Sequence, residues 1–267
     1  MKYAKVERRK RVENKIAIVT GGAKGIGRGI AEKLVEEGVC TIIADVDEDS
    51  GAAAALELQT KGKAQFKKVN LLEDEEVAKL FSETIEEHGH LDILVCNAGV
   101  QIREWAIDFD MEKFDYLMGI NLRAYYLCAK TAAKYMKEQN EGGSIVCISS
   151  VNSISYHSKR SPYNISKAAI NGLVGTLGVE WGRYNIRINA VAPGYVLTEL
   201  MESGIKEGII DEKNIMSVIP MKRYIKIEEV SNAVWFLCSD ASSGITGQVL
   251  CVDGGWSKNA LPELLNM

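Results

Sequence analysis

Histidine is scarce, with three in 267 residues, and no His, Cys and carboxylate side chains gather at the spacing a metal ion needs, so no metal site is expected. None of the six cysteines (Cys40, Cys96, Cys128, Cys147, Cys238, Cys251) makes a C-x-x-C pair, and four lie in apolar runs. That usage fits small buried side chains in a reducing cytosol and not a disulfide framework. No apolar run approaches the ~18 residues of a membrane span, and the basic start lacks the apolar stretch of an export signal, so a cytoplasmic protein is expected. Repeats, linkers and low-complexity segments are absent too. A broad excess of positive charge is also missing: the net charge is −4, and the first fifteen residues carry a local +5. Residues 1–14 therefore read as a solvated basic arm on an acidic body, and nucleic acid is not an expected partner. With 46% hydrophobic residues the chain can bury a full core, expected as one α/β domain over 15–256 followed by a tail over 257–267.

What is present begins at Ile16-Ala17-Ile18-Val19, a short unbroken apolar run as expected of a parallel strand covered on both faces. Thr20-Gly21-Gly22-Ala23-Lys24-Gly25-Ile26-Gly27 follows, and Ile26, Ile30 and Leu34 then recur at helical spacing. Strand, glycine turn and helix in this order read as a nucleotide site. Gly21 permits the turn, Gly25 lets the backbone approach a pyrophosphate, Gly27 allows close helix packing, and the helix start offers free N–H groups and a positive dipole. A second strand, Val39 to Ala44, ends at Asp45, where a carboxylate accepts hydrogen bonds from both ribose hydroxyls of NAD and repels the 2′-phosphate of NADP. Lys24, basic and inside the turn, is the contrary signal. Asp45 outweighs it, because a phosphate set against a carboxylate costs more than an exposed lysine returns.

Further on, Leu91 to Cys96 reads as the fourth strand, a long helix is expected over roughly Met111 to Gln139, Gly143 to Ser150 is a strand ending in hydroxyls at the carboxyl edge of the sheet, and Tyr163 and Lys167 stand four apart on one helix face. A phenol of reference pKa ~10 is a poor base at neutral pH, and a fixed ammonium one turn away, with the cationic nicotinamide, favours its ionised form. Taken alone, such a Tyr/Lys pair is common on protein surfaces.

The glycine spacing Gly21, Gly25, Gly27 after Thr20 resembles the T-G-x-x-x-G-I-G of the short-chain dehydrogenase/reductase family, and Ser150, Tyr163 and Lys167 stand at that family's spacing. The resemblance covers about Asn14 to Trp256. It implies one doubly wound, Rossmann-type, largely parallel sheet flanked by helices. It also implies reversible hydride transfer between NAD(H) and a secondary alcohol or ketone. Gly21, Lys24, Gly25, Ile26 and Gly27 would line the phosphates. Asn70-Leu71 occupies the place of the family's usual Asp-Val, so the adenine contact falls to an amide oxygen. Asn97-Ala98-Gly99 resembles the N-A-G turn at the ribose, with Cys96 in place of a first Asn. Pro193-Gly194-Tyr195-Val196-Leu197-Thr198 resembles P-G-x-x-x-T, in which Val196 and Thr198 would hold the carboxamide. By the same resemblance Tyr163 is the general acid/base, Lys167 lowers its pKa and binds the ribose, Ser150 polarises the substrate oxygen, and Asn121 kinks its helix and continues the proton relay.

The stretch after Gly99 looks like the corresponding part of gluconate-type and other sugar-acid dehydrogenases, which makes Arg103, Asn152 and Tyr195 candidate substrate contacts for a sugar, polyol or sugar acid. Trp105, Tyr195, Leu197, Met201 and Ile205 could instead wall a steroid. A hydroxysteroid dehydrogenase or 3-oxoacyl reductase is thus the alternative, and a non-catalytic NAD sensor the distant one. Residues 195–220 have weak periodicity and read as a substrate lid. Ala168, Ala169, Gly172, Gly175 and Gly178 give the Tyr163 helix a small-residue stripe, expected to pack on another subunit in a homotetramer, as in many relatives.

Overall fold

The computed structural model of the chain describes residues 15–208 and 211–259, so the basic arm over 1–14 and the tail from 260 onward lie outside the described residues. Seven strands are formed: β1 Ile16–Thr20, β2 Cys40–Asp45, β3 Ala64–Lys68, β4 Ile93–Cys96, β5 Gly143–Ile148, β6 Ile186–Pro193 and β7 Val249–Val252. They pair in the order β3-β2-β1-β4-β5-β6-β7, every pair parallel. The helices are α1 Gly25–Glu36, α2 Glu48–Leu58, α3 Asp74–His88, α4 Met111–Met118, α5 Ala124–Glu138, α6 Ser161–Trp181, α7 Glu199–Lys206, α8 Glu212–Val218 and α9 Ile227–Cys238.

All five side chains of β1 are buried. Because alternate residues point to opposite faces, Ile16 and Ile18 join one apolar layer with Leu94, Ile145 and Ile188, and Ala17 and Val19 join the other with Ile43, Val95 and Val191. The first layer is covered by Leu80 and Phe81 of α3, Cys128 and Ala132 of α5, and Ile170 and Val174 of α6. The second is covered by Ile30 and Leu34 of α1, Leu58 of α2, and Val230 and Val234 of α9. Each Val, Leu, Ile or Phe among them removed from water contributes about 1.5–3 kcal/mol, which holds the carboxyl ends of the central strands in fixed register.

Three expectations change in detail. The fourth strand starts at Ile93 and not at Leu91, because the Gln139 carboxamide takes both backbone groups of Leu91, at 3.2 and 2.9 Å, and closes the position to strand pairing. The long helix expected over 111–139 is broken into α4 and α5 by a π turn at Gly119–Arg123, with Asn121 in its middle. The segment 195–220, read as weakly periodic, contains α7 and α8, whose first turns are capped by the side chains of Thr198 and Asp211. These helices pack Met201, Ile215 and Met216 with Val151, Ile219 and Trp256 in a small core of their own. Among the described residues no helix is long and apolar enough to cross a membrane.

Candidate active site

The strand order reverses between β1 and β4, and a cleft of about 1600 Å³ opens there along the carboxyl ends of the strands. A single small ligand fills roughly 300–1,000 Å³, so the cleft has room for a dinucleotide with a substrate beside it.

At one end, two turns lock together. Thr20 Oγ1 accepts from the backbone N–H of Asn97 at 3.0 Å, and Asn97 Nδ2 donates to the carbonyls of Thr20 and Gly21 at 3.1 and 2.8 Å. Gly21 has φ +63°, and a Cβ on Gly27 would lie 2.0 Å from the Gly21 carbonyl, so no other residue fits either place. Gly25, φ +55°, faces open space. The first turn of α1 has no side-chain cap and no acidic residue, in contrast to α2, α4, α7 and α8, each capped by an Asp or Thr. Its N–H groups are left for an anion, and these features together fit a dinucleotide pyrophosphate.

Asp45 ends β2 in the same cleft, where Oδ2 accepts from Ala23 N at 3.0 Å and Oδ1 from Asp47 N at 3.1 Å. Each oxygen keeps a lone pair for a ribose hydroxyl. The Lys24 ammonium is engaged elsewhere. It pairs with Asp47 at 2.8 Å, and this hydrogen bond, helped by Ser50, holds the pKa of the Asp47 carboxyl at about 2. Asn70 and Leu71 line the cleft, but the Asn70 amide oxygen is turned onto Leu72 N at 3.1 Å. Ala98, Gly99, Pro193, Gly194 and Thr198 also line it, whereas Val196 is buried and bridges to Ile225.

At the other end Ser150, just beyond β5, lies beside Tyr163, and both line the cleft with Lys167. Burial raises the Tyr163 pKa, opposed by the neighbouring Ser150 hydroxyl and by the charge of Arg160. Lys167 is 3% exposed. Burial without a carboxylate partner pushes it down to about 8, and its Nζ donates to the Ile148 carbonyl at 2.8 Å and to Tyr125 Oη at 3.3 Å. The expected lowering of the Tyr163 pKa by Lys167 is therefore not a property of the protein alone: Nζ is 5.8 Å from the Tyr163 ring centre, and desolvation dominates. Asn121, fully buried and behind the cleft lining, accepts from Val100 N at 2.8 Å and donates to Val100 O at 2.9 Å, tying the π turn to the segment after Gly99.

Of the three substrate candidates only Arg103 lines the cleft. Asn152 is buried, its Oδ1 without a partner among the described residues, and Tyr195 is half-buried and stacked on Trp256 at 4.8 Å, with His157 5.0 Å from the same ring. Sequence reasoning missed Arg160. The Glu104 N–H donates to the Lys159 carbonyl at 3.0 Å, which brings the Arg103 and Arg160 segments together. Arg160 is half-buried, its charge opposes the rise that burial gives the Tyr195 pKa, and among the described residues neither arginine has an ion-pair partner. Burial, then Arg160 and Arg103, lowers the His157 pKa. Tyr125, four residues after Asn121, was missed as well.

The chain matches the family described as enoyl-(acyl carrier protein) reductase over residues 21–257. It is 37% identical over 246 residues to a 3alpha-hydroxysteroid dehydrogenase of Mediterraneibacter gnavus, covering 91% of this chain and 97% of that protein. It is 35% identical over 247 residues to a glucose 1-dehydrogenase of Gluconobacter oxydans, covering 92% of each. The crystal structure of a putative gluconate dehydrogenase from Agrobacterium tumefaciens superposes with a TM-score of 0.86 at 30% identity, over 91% of this chain and 96% of that one. The chain belongs to the short-chain dehydrogenase/reductase family, and is an oxidoreductase of CH–OH groups that uses NAD or NADP.

Proposed function

We propose that the protein interconverts a secondary alcohol and a ketone on a sugar, polyol or sugar acid with NAD(H). The observation that carries this reading is the meeting of Ser150, Tyr163 and Lys167 at one end of a cleft whose other end holds Asp45 and the uncapped start of α1. NAD would accept the hydride in oxidation and supply it in reduction. Tyr163, ionised, takes the hydroxyl proton as the carbon loses hydride, and returns it in the reverse direction. Ser150 hydrogen-bonds the reacting oxygen and orients it toward Tyr163. Lys167 supplies the fixed positive charge that favours the tyrosinate, and Asn121 fixes the backbone through which the proton relay continues. NAD is favoured over NADP because the Asp45 carboxylate faces the ribose position while Asp47 engages the charge of Lys24.

Arg103 and Arg160, without carboxylate partners, favour a substrate that carries an acid group, since guanidinium and carboxylate form paired hydrogen bonds. The second reading, a hydroxysteroid, is supported by the Tyr195 and Trp256 rings and by the named steroid relative. An assay of NAD-linked oxidation over sugar acids, uncharged polyols and hydroxysteroids decides between them. With Arg103→Ala the KM for the acid is expected to rise about tenfold, with the polyol unchanged. Faster wild-type turnover of a steroid, untouched by the substitution, would overturn the sugar-acid reading. Exposed Ile165 and Val179 on α6, with open space around Gly172, support a homotetramer built across that helix, and a cytoplasmic location completes the proposal.

A further inference from the structure

Tyr125 lies on α5, is 1% exposed, and no part of it lines the cleft. Its hydroxyl nonetheless touches the site twice, 3.3 Å from the Ile148 carbonyl and 3.3 Å from Lys167 Nζ. The geometry closes a triangle, because Lys167 Nζ is itself 2.8 Å from that carbonyl. The phenol donates its proton to Ile148 O and presents a lone pair to the ammonium. An ammonium has three N–H donors. Two are thus fixed on the inner side, and the third is left for the cleft that Lys167 lines.

We infer that Tyr125 is a positioning residue for the reaction, holding the Lys167 ammonium in place through its hydroxyl, an inference that rests on the reading of Lys167 as the cationic partner of Tyr163. The other titratable groups facing this pair are the thiols of Cys96 on β4, Cys147 on β5 and Cys128 on α5, together with Tyr163 and, beyond it, Arg160. None is a carboxylate, so among the described residues the ammonium is held by a carbonyl and a phenol alone. Burial raises the Tyr125 pKa far above its usual value, which keeps the phenol neutral and able to donate to Ile148 O at every working pH. A phenylalanine would fill the same space and lose only the hydroxyl's two contacts, with Ile148 O and with Lys167 Nζ.

The test is Tyr125→Phe, measured beside the wild type and Tyr163→Phe in NAD-linked oxidation of the best substrate from the panel, as kcat across pH, with thermal unfolding on the same samples. Loss of an acceptor on a buried cation lowers the lysine's pKa and weakens its hold on the tyrosinate. The rising limb of the Tyr125→Phe profile is therefore expected about one pH unit higher than in the wild type, which is about a tenfold lower rate on that limb, recovering toward the wild-type plateau at higher pH. A profile that superimposes on the wild type overturns the inference, whether or not the unfolding temperature drops, because a purely structural role moves stability and not the limb. Should Tyr163→Phe keep its turnover, the catalytic reading itself falls and the positioning role with it. An inactive Tyr163→Phe beside an unshifted Tyr125→Phe removes the inference alone.

Discussion

At the phosphate end of the cleft, a side chain pins main chain: the Asn97 carboxamide donates to the Gly21 carbonyl, and Gly27, without a Cβ, packs against both. At the other end, side chains hold side chains, with Tyr195 stacked on Trp256, His157 beside them, and Arg160 without an ion-pair partner among the described residues. The first kind of construction admits almost no exchange, since any side chain added there meets main chain. The second can change its chemistry without moving the sheet. Relatives named for a steroid, a sugar and a sugar acid therefore share one fold, and the likeness to each is about equal.

The contrast can be broken at its ends. The largest effect is expected from Tyr163→Phe, which removes one oxygen and should lower kcat about 10³-fold while fluorescence titration finds NADH binding nearly unchanged. Retention of about a tenth of the wild-type rate would exclude Tyr163 as the general acid/base. Next comes Gly27→Ala, whose new methyl would stand 2.0 Å from the Gly21 carbonyl and 2.4 Å from Asn97 Nδ2. A loss of about 3 kcal/mol in denaturant unfolding, with loss of NADH binding, is expected. Gly182→Ala is its control: the residue closes α6 with φ −54°, nothing lies within 4 Å of its Cβ position, and the protein should be unharmed or firmer by up to about 1 kcal/mol. Equal effects from the two glycines would remove the claim that the phosphate end is the rigid one. The smallest is Asp45→Ala, expected to lower the ratio of kcat/KM for NAD over NADP about tenfold. An unmoved ratio would shift the cofactor choice to the Lys24 and Asp47 pair.

The same contrast explains what was legible in the sequence. Strand, glycine turn and helix each carry a local signal, and the sheet order, the interlocked turns and the meeting of Ser150, Tyr163 and Lys167 follow from them. That Asn121 needs partners was readable, because it is a polar residue in the middle of an apolar helix face, and Val100 supplies both; the kink itself was implied only by the family resemblance. Arg160 and Tyr125 were not readable. Their roles depend on contacts across distant segments, Arg160 with Tyr195 and Tyr125 with Ile148 and Lys167, and neither position carries a periodic or motif signal. The helices α7 and α8 escaped for a related reason: each is only two turns long and buries its apolar side on a small separate core, so neither repeats the pattern long enough to show a period.

Helix α1 packs against α9 so closely that a Cβ on Gly29 would lie 2.1 Å from Ile227 Cγ2. The two helices belong to nearly opposite ends of the chain, yet they share one apolar layer in which Ile30 and Leu34 meet Val230 and Val234. A chain made from its N-terminus forms the glycine turn first and completes its cover last. Until α9 arrives, the outer face of α1 has no partner, and the contact that closes it joins segments far apart in the chain, a slow step in folding. The nucleotide site, earliest to be read along the sequence, is in this way expected to be among the last parts of the protein to gain hydrogen-exchange protection during refolding.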